Sequence, residues 1–289
     1  MHPFKEAVPA DGATSWSLRL AALGLLAGLA SGFLGIGGGL IIVPGLVLLF
    51  SYPIKRAVGV SLTTGVLVAL VAVLVELVVK GTNIHLTMAL VIAAGSLLGS
   101  AIAARLLPRL GDRTLRMLFA GCLLIASYRM LMSAGVSDGT VLMRLSAASP
   151  LAHLLMLPIG VIAGVTSTLF GIGGGIVVVP CLSLVFHDVP FHAARATSLA
   201  TILPTSSFGA YQHYQMGHVD VAVARQLIPT ALVGAASGVV LVNFVASGPA
   251  RMAFAIFLLL VAARLVVAGR RSAASAPSVH TASARPARA

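Results

Sequence analysis

"GFLGIGGGLIIVPG" occupies Gly32–Gly45, and "TLFGIGGGIVVVPC" occupies Thr168–Cys181. Each packs four glycines into five residues: Gly35, Gly37, Gly38 and Gly39 in the first, Gly171, Gly173, Gly174 and Gly175 in the second. The residues on either side are almost all apolar. Glycine admits backbone angles that other residues resist, so each cluster predicts a break in a helix. In lipid, a break strands N–H and C=O groups at a cost of several kcal/mol each, so it survives only inside protein or beside water. Two breaks sheltered in an otherwise oily bundle are therefore predicted.

Composition agrees. Of 289 residues, 58% are hydrophobic and 9% charged, with mean hydropathy +1.05. An ordinary soluble domain is about 25% charged. Long uncharged runs predict an all-α polytopic membrane protein. The net charge of +12 sits mostly between or beyond the apolar runs. It reads as loop anchoring and attraction to the lipid bilayer rather than nucleic-acid binding. Cys122 and Cys181 lie in apolar stretches without metal-ligand spacing and read as inert thiols. The first apolar run, near Trp16, lacks a small-residue cleavage site and is expected to be retained. The tail from Arg270, rich in Ala, Ser, Pro and Arg, is expected to be disordered and cytoplasmic.

The two motifs belong to a longer register. Gly28 matches Gly164, Ser31 matches Ser167, Gly35 matches Gly171 and Pro44 matches Pro180. With small shifts, Ser61 meets Ser198, Thr64 meets Thr201, Gly99 meets Gly234 and Arg129 meets Arg264. Such a register predicts an internal duplication. The organisation expected is a cytoplasmic segment 1–15, a first repeat 16–135, a loop 136–151, a second repeat 152–269 and a tail 270–289. Apolar segments are expected at 17–35, 39–51, 57–79, 84–107 and 114–134, then at 152–171, 175–187, 192–215, 219–245 and 250–268. Segments 39–51 and 175–187 are too short to span untilted, since a span takes about 20 residues. Short, Gly-interrupted segments at matched positions point to a transporter binding site.

The distribution of lysine and arginine orients the repeats. If each glycine-linked pair returns to the side it came from, the copies are inverted. The inner side then carries 14 lysines and arginines, and the outer side carries Lys80, Arg129, Arg144, Arg195 and Arg251. One net crossing per pair makes the copies parallel and the split 11 against 8. The positive-inside rule favours inversion, with both termini cytoplasmic in either case.

The helix after each cluster presents unpaired N–H groups and roughly half a positive charge. That is an anion site made from backbone. The competing reading is close helix packing by small residues. A phosphate loop does not fit, because no strand pattern precedes the glycines and no Lys-Ser/Thr follows them. The doubled "G-x-x-S/T-G/T-x-x-G-I-G-G-G-x-x-x-V-P", opening each half, resembles the TauE/SafE family of sulfite and organosulfonate exporters or permeases. The resemblance spans about 30–270, with Thr168 where the first copy has Gly32. It implies secondary transport of a small anionic substrate, often a sulfur oxyanion or sulfonate, across the bacterial inner membrane.

Hydroxyls cluster near the breaks. Ser31 precedes the first, and Thr166, Ser167 and Thr168 precede the second. Ser61 and Thr64 recur as Ser198 and Thr201. Each can bind an oxyanion or bond its preceding helical turn. Pro204 is expected to kink its helix. Glu76 is the one acid deep in an apolar run; it carries a coupling proton or pairs with Lys80 one turn on. His213, in "YQHYQ", titrates near neutrality or, preferably, sits at the headgroup level. Arg129 and Arg264 read as snorkelling residues.

These residues predict a transporter with no cofactor and no enzymatic machinery. The substrate-binding set expected is Ser31, Gly35, Gly37, Gly38, Gly39, Ser61, Thr64, Ser167, Gly171, Gly173, Gly174, Gly175, Ser198 and Thr201, with Glu76 and His213 as proton-coupling candidates. A non-transporting assembly or regulatory factor and an anion channel are the alternatives. A homodimer is an admissible assembly.

Overall fold

The computed structural model describes residues 13–80, 84–111, 150–186 and 189–246, with scattered residues of 114–131 and 248–263. Residues 1–12, most of the 136–151 loop, the tail from Arg270, and Cys122, Arg129 and Arg264 lie outside the described residues. Among the described residues the chain is helical, without a strand element. The order is α1 (Ala13–Leu34), α2 (Gly39–Leu49), α3 (Ile54–Lys80) and α4 (Leu86–Leu106), the last running into a 3-10 turn at Leu107–Arg109. Then come α5 (Pro150–Phe170), α6 (Gly175–Val185), α7 (Phe191–Gln215) and α8 (Val221–Val242). These bounds fall within a few residues of the apolar segments. The described residues within 114–131 and 248–263 are likewise helical. α7 continues as helix through Pro204.

Among the described residues, four helical stretches are long and apolar enough to cross a bilayer: Trp16–Leu34, Ile54–Val79, Leu86–Arg109 and Val221–Val242. Their outward faces are apolar, with Leu74, Val78, Leu90, Leu98 and Val233 exposed. Exposed apolar surface of that extent suits lipid rather than water.

Glycines on the long helices set how closely those helices approach. Gly24, Gly28 and Gly32 of α1 lie on Leu227, Ala231 and Ala235 of α8, so the two helices run parallel. Gly160 and Gly164 of α5 lie on Ile92 and Ser96 of α4 in the same way. A β-carbon at Gly28 would fall 1.9 Å from the Ala231 carbonyl oxygen, and one at Gly164 would fall 1.9 Å from that of Ser96. For these glycines the packing reading is the right one. α3 and α7 run antiparallel, with Leu62 against Gly209 and Glu76 against Arg195.

Each glycine cluster turns the chain back on itself. Gly45 of α2 rests on Leu23 of α1, and the Phe50 ring stacks edge-on against Trp16 at 4.5 Å. The end of α2 therefore lies beside the start of α1. In the second pair, Leu182 and Phe186 share a buried cluster with Ala152 and Met156 from the start of α5.

Candidate functional site

The glycine clusters break the helices and then meet. Gly35, Gly37 and Gly38 have φ of 74°, 79° and 71°, and Gly171, Gly173 and Gly174 have 75°, 72° and 87°. Only glycine adopts such angles without steric cost. Gly38 and Gly174 are the left-handed caps from which α2 and α6 start, and no side chain caps either helix. Each of these helices thus presents backbone N–H groups and the positive end of its dipole at the break. A β-carbon at Gly39 would fall 1.8 Å from the Gly171 carbonyl oxygen, and one at Gly175 would fall 2.3 Å from that of Gly35. Ile202 of α7 packs on both Gly37 and Gly173. The two breaks are one continuous buried feature, with α3 and α7 flanking it.

Each flanking helix satisfies a carbonyl of a break. Ser61 Oγ on α3 donates to the Gly171 carbonyl at 2.7 Å. Ser198 Oγ on α7 donates to the Gly35 carbonyl at 2.9 Å. These two hydroxyls are occupied with neither ligand nor their own helical turn. Thr201 instead donates to Thr197 O, the preceding turn, at 2.7 Å. The buried hydroxyls of Ser31, Thr64, Ser167, Thr168 and Ser206 meet no hydrogen-bond partner among the described residues. A buried hydroxyl without a partner is costly, so these five carry hydrogen-bonding capacity that the fold leaves unmet.

Three ionisable side chains complete the site. Glu76 is fully buried and pairs with Arg195 of α7, which is equally buried. Arg195 also donates from Nη1 to the Gly32 carbonyl at 2.7 Å, and its stem lies against Gly35. This corrects the charge tally, which placed Arg195 among outer-side cations. Arg195 is the one fully buried lysine or arginine among the described residues, and sequence reading missed it. The signal was present: a lone acid deep in an apolar helix requires a countercharge. Arg195 and Ser198, three apart on α7, share a helical face.

His213 lies in the last turn of α7. It is fully buried, with Nε2 2.9 Å from the Thr168 carbonyl and its ring 5.5 Å from that of His218. The physical reason is the open carbonyl near the end of α5, which draws a partner inward. Gly32 and Thr168 hold matched positions before the two breaks. Their carbonyls are taken by Arg195 and His213, both from α7. Among the described residues, no group of three His, Cys, Asp or Glu is arranged to hold a metal.

A family model described as "Sulfite exporter TauE/SafE" matches residues 3–130 and 156–289. The "Probable membrane transporter protein YunE" of Bacillus subtilis (strain 168) is 27% identical over 268 residues, covering 86% of this chain and 97% of its own length. The "Probable membrane transporter protein MJ0441" of Methanocaldococcus jannaschii is 28% identical over 216 residues, covering 70% and 77% respectively. The "Probable membrane transporter protein YdhB" of Bacillus subtilis (strain 168) is 37% identical over 92 residues, covering 32% and 36%.

Proposed function

The chain belongs to the TauE/SafE family, and from that premise we propose that it is a secondary transporter carrying a small anion across the bacterial inner membrane. The substrate class is a sulfur oxyanion or organosulfonate, in line with the family's description as sulfite exporters. The observation that carries the reading is the contact of two uncapped helix starts, α2 and α6, inside one buried break lined by unpartnered hydroxyls. Broken helices that meet between related halves are the usual architecture of a secondary-transport site.

Two inverted repeats supply the moving parts. Supporting this, α2 folds back beside the start of α1, and α1 runs parallel to α8 as α5 does to α4. The matched register exchanges these two helix pairs. The breaks pack on each other, and Ile202 lies against Gly37 and Gly173. Access alternates as one set of helices rocks against the other. Both termini are then cytoplasmic, consistent with the basic residues Lys55 and Arg56 at the start of α3.

The test is flux. Vesicles holding only this protein should take up sulfite, thiosulfate or a sulfonate with saturation and counterflow. Gly39→Ala, whose β-carbon meets the Gly171 carbonyl, should abolish uptake while the protein still inserts. Flux without counterflow means a channel. Absence of anion flux from the folded wild type refutes the reading.

A further inference from the structure

We infer that Arg195 is the cationic ligand for the transported oxyanion and that the Glu76 carboxylate is its built-in substitute, displaced as a protonated acid when the anion binds. The inference rests on the transport reading and adds the residue that recognises charge and the coupling it enforces.

Four observations lead there. Arg195 lies against the first glycine break, with its stem on Gly35 and Nη1 on the Gly32 carbonyl. Its remaining contact is the Glu76 carboxylate, through Nη2 and Oε2. Arg195 Nε and Glu76 Oε1 are both buried without a partner among the described residues, so the guanidinium fork is only partly used. In the matched register of Ser61 and Ser198, the first half carries Val58 where the second carries Arg195. Charge recognition is thus confined to one side of an otherwise repeated site.

A planar guanidinium binds carboxylates and other oxyanions through the same paired N–H geometry. An anion with two or more terminal oxygens can therefore take the place of the Glu76 carboxylate. Low dielectric makes the exchange obligatory. Neither charge of a buried pair can be left alone at tolerable cost. If the substrate takes Arg195, Glu76 must acquire a proton; if the substrate leaves, Glu76 must lose it and re-pair. The proton adds to a carboxylate oxygen on binding and departs on release. One proton therefore accompanies each anion that Arg195 binds, in either direction of transport.

Apart from Lys80, one turn on along α3 itself, few other charged groups can perturb this exchange. α1 brings only Arg19, near its start, and α2 carries no titratable side chain. α8 meets this stretch of α3 with Val239, Val240 and Leu241, while Asp220 and Arg225 lie at its opposite end. α5 has no charged group among its described side chains. α7 adds His192 near its start and His213 near its end, the latter bonded at Thr168.

The test uses thiosulfate and methanesulfonate, which stay ionised across the pH range studied. Binding is titrated on purified full-length protein, and anion and proton flux are measured together in proteoliposomes. Wild-type binding should tighten as pH falls, because protonating Glu76 frees Arg195. Glu76→Gln should bind about tenfold more tightly at neutral pH, with a flat pH profile, and should move anion without a proton. The double variant Glu76→Gln/Arg195→Gln removes both charges, so it inserts without a lone buried ion; it should bind neither probe. If the wild type carries either anion but Glu76→Gln keeps its pH dependence and proton flux, the inference fails and the transport reading stands. The inference fails in the same way if the double variant binds as tightly as Glu76→Gln. A wild type that moves neither probe removes the transport reading and this inference together.

Discussion

Ser31 and Ser61 are equally buried, yet their hydroxyls stand in opposite situations. Ser61 Oγ holds the Gly171 carbonyl, whereas Ser31 Oγ meets no partner among the described residues. Truncating Ser61 leaves a buried carbonyl open, while truncating Ser31 removes an unmet polar group. Ser61→Ala should therefore cost about 1 kcal/mol of stability. Ser31→Ala should leave stability level or slightly higher and weaken anion binding several-fold. Unfolding and anion titration on the same detergent-solubilised preparations check both; unchanged affinity in Ser31→Ala removes it from the site. Ser31 was legible in the sequence as a hydroxyl just before a glycine break, and Ser61 as one that recurs early in the next long helix. Which one is committed to structure was not, because that depends on a carbonyl more than a hundred residues away.

At the scale of elements, α7 and the start of α8 tie the break to the protein surface. α7 supplies Arg195, Ser198 and His213 to carbonyls on both sides of the break. The segment after α2 is joined to α8 by Tyr52, whose hydroxyl donates to Asp220 Oδ2 at 2.5 Å. Asp220 Oδ1 also accepts from the N–H groups of Ala222 and Val223 at 3.1 and 3.2 Å, capping α8. Burial, and then the Asp220 carboxylate, hold the Tyr52 phenol well above its usual value. The phenol therefore remains a donor throughout ordinary pH, and this tether should show no pH dependence from Tyr52. Tyr52→Phe should loosen the tether but spare the cap. Asp220→Ala loses both and should be the more destabilised by about 1 kcal/mol, as read by thermal unfolding of the two variants. Equal losses would assign the whole effect to the tyrosine contact. The helix positions here were legible from apolar run lengths; the tether was not, since Tyr52 and Asp220 lie in polar connections without a periodic signal.

At the scale of the whole molecule, the two halves of the sequence are not two separate bodies. α1, from the first half, packs along α8 from the second, and α5 packs along α4. Each half alone would expose the glycine-lined face of its first helix. A chain divided within 136–149 should therefore regain uptake only when both pieces are made together, and either piece alone should be lost to degradation. Stable accumulation of one half by itself, measured in membranes, would contradict this mutual packing.

Helix lengths, the two glycine breaks and the matched register were all readable from residue order, because apolar length and backbone permissiveness are local properties. Glu76 was readable as the one acid deep in an apolar run, but its expected partner, Lys80, was not the one the fold supplies, which is Arg195. Folding alone decided that the breaks touch, that Arg195 is buried with Glu76, and that His213 turns inward to Thr168. Those outcomes depend on which carbonyls the breaks leave open and which helix passes beside them. Such pairings join residues distant in the chain, and no local pattern of composition encodes them.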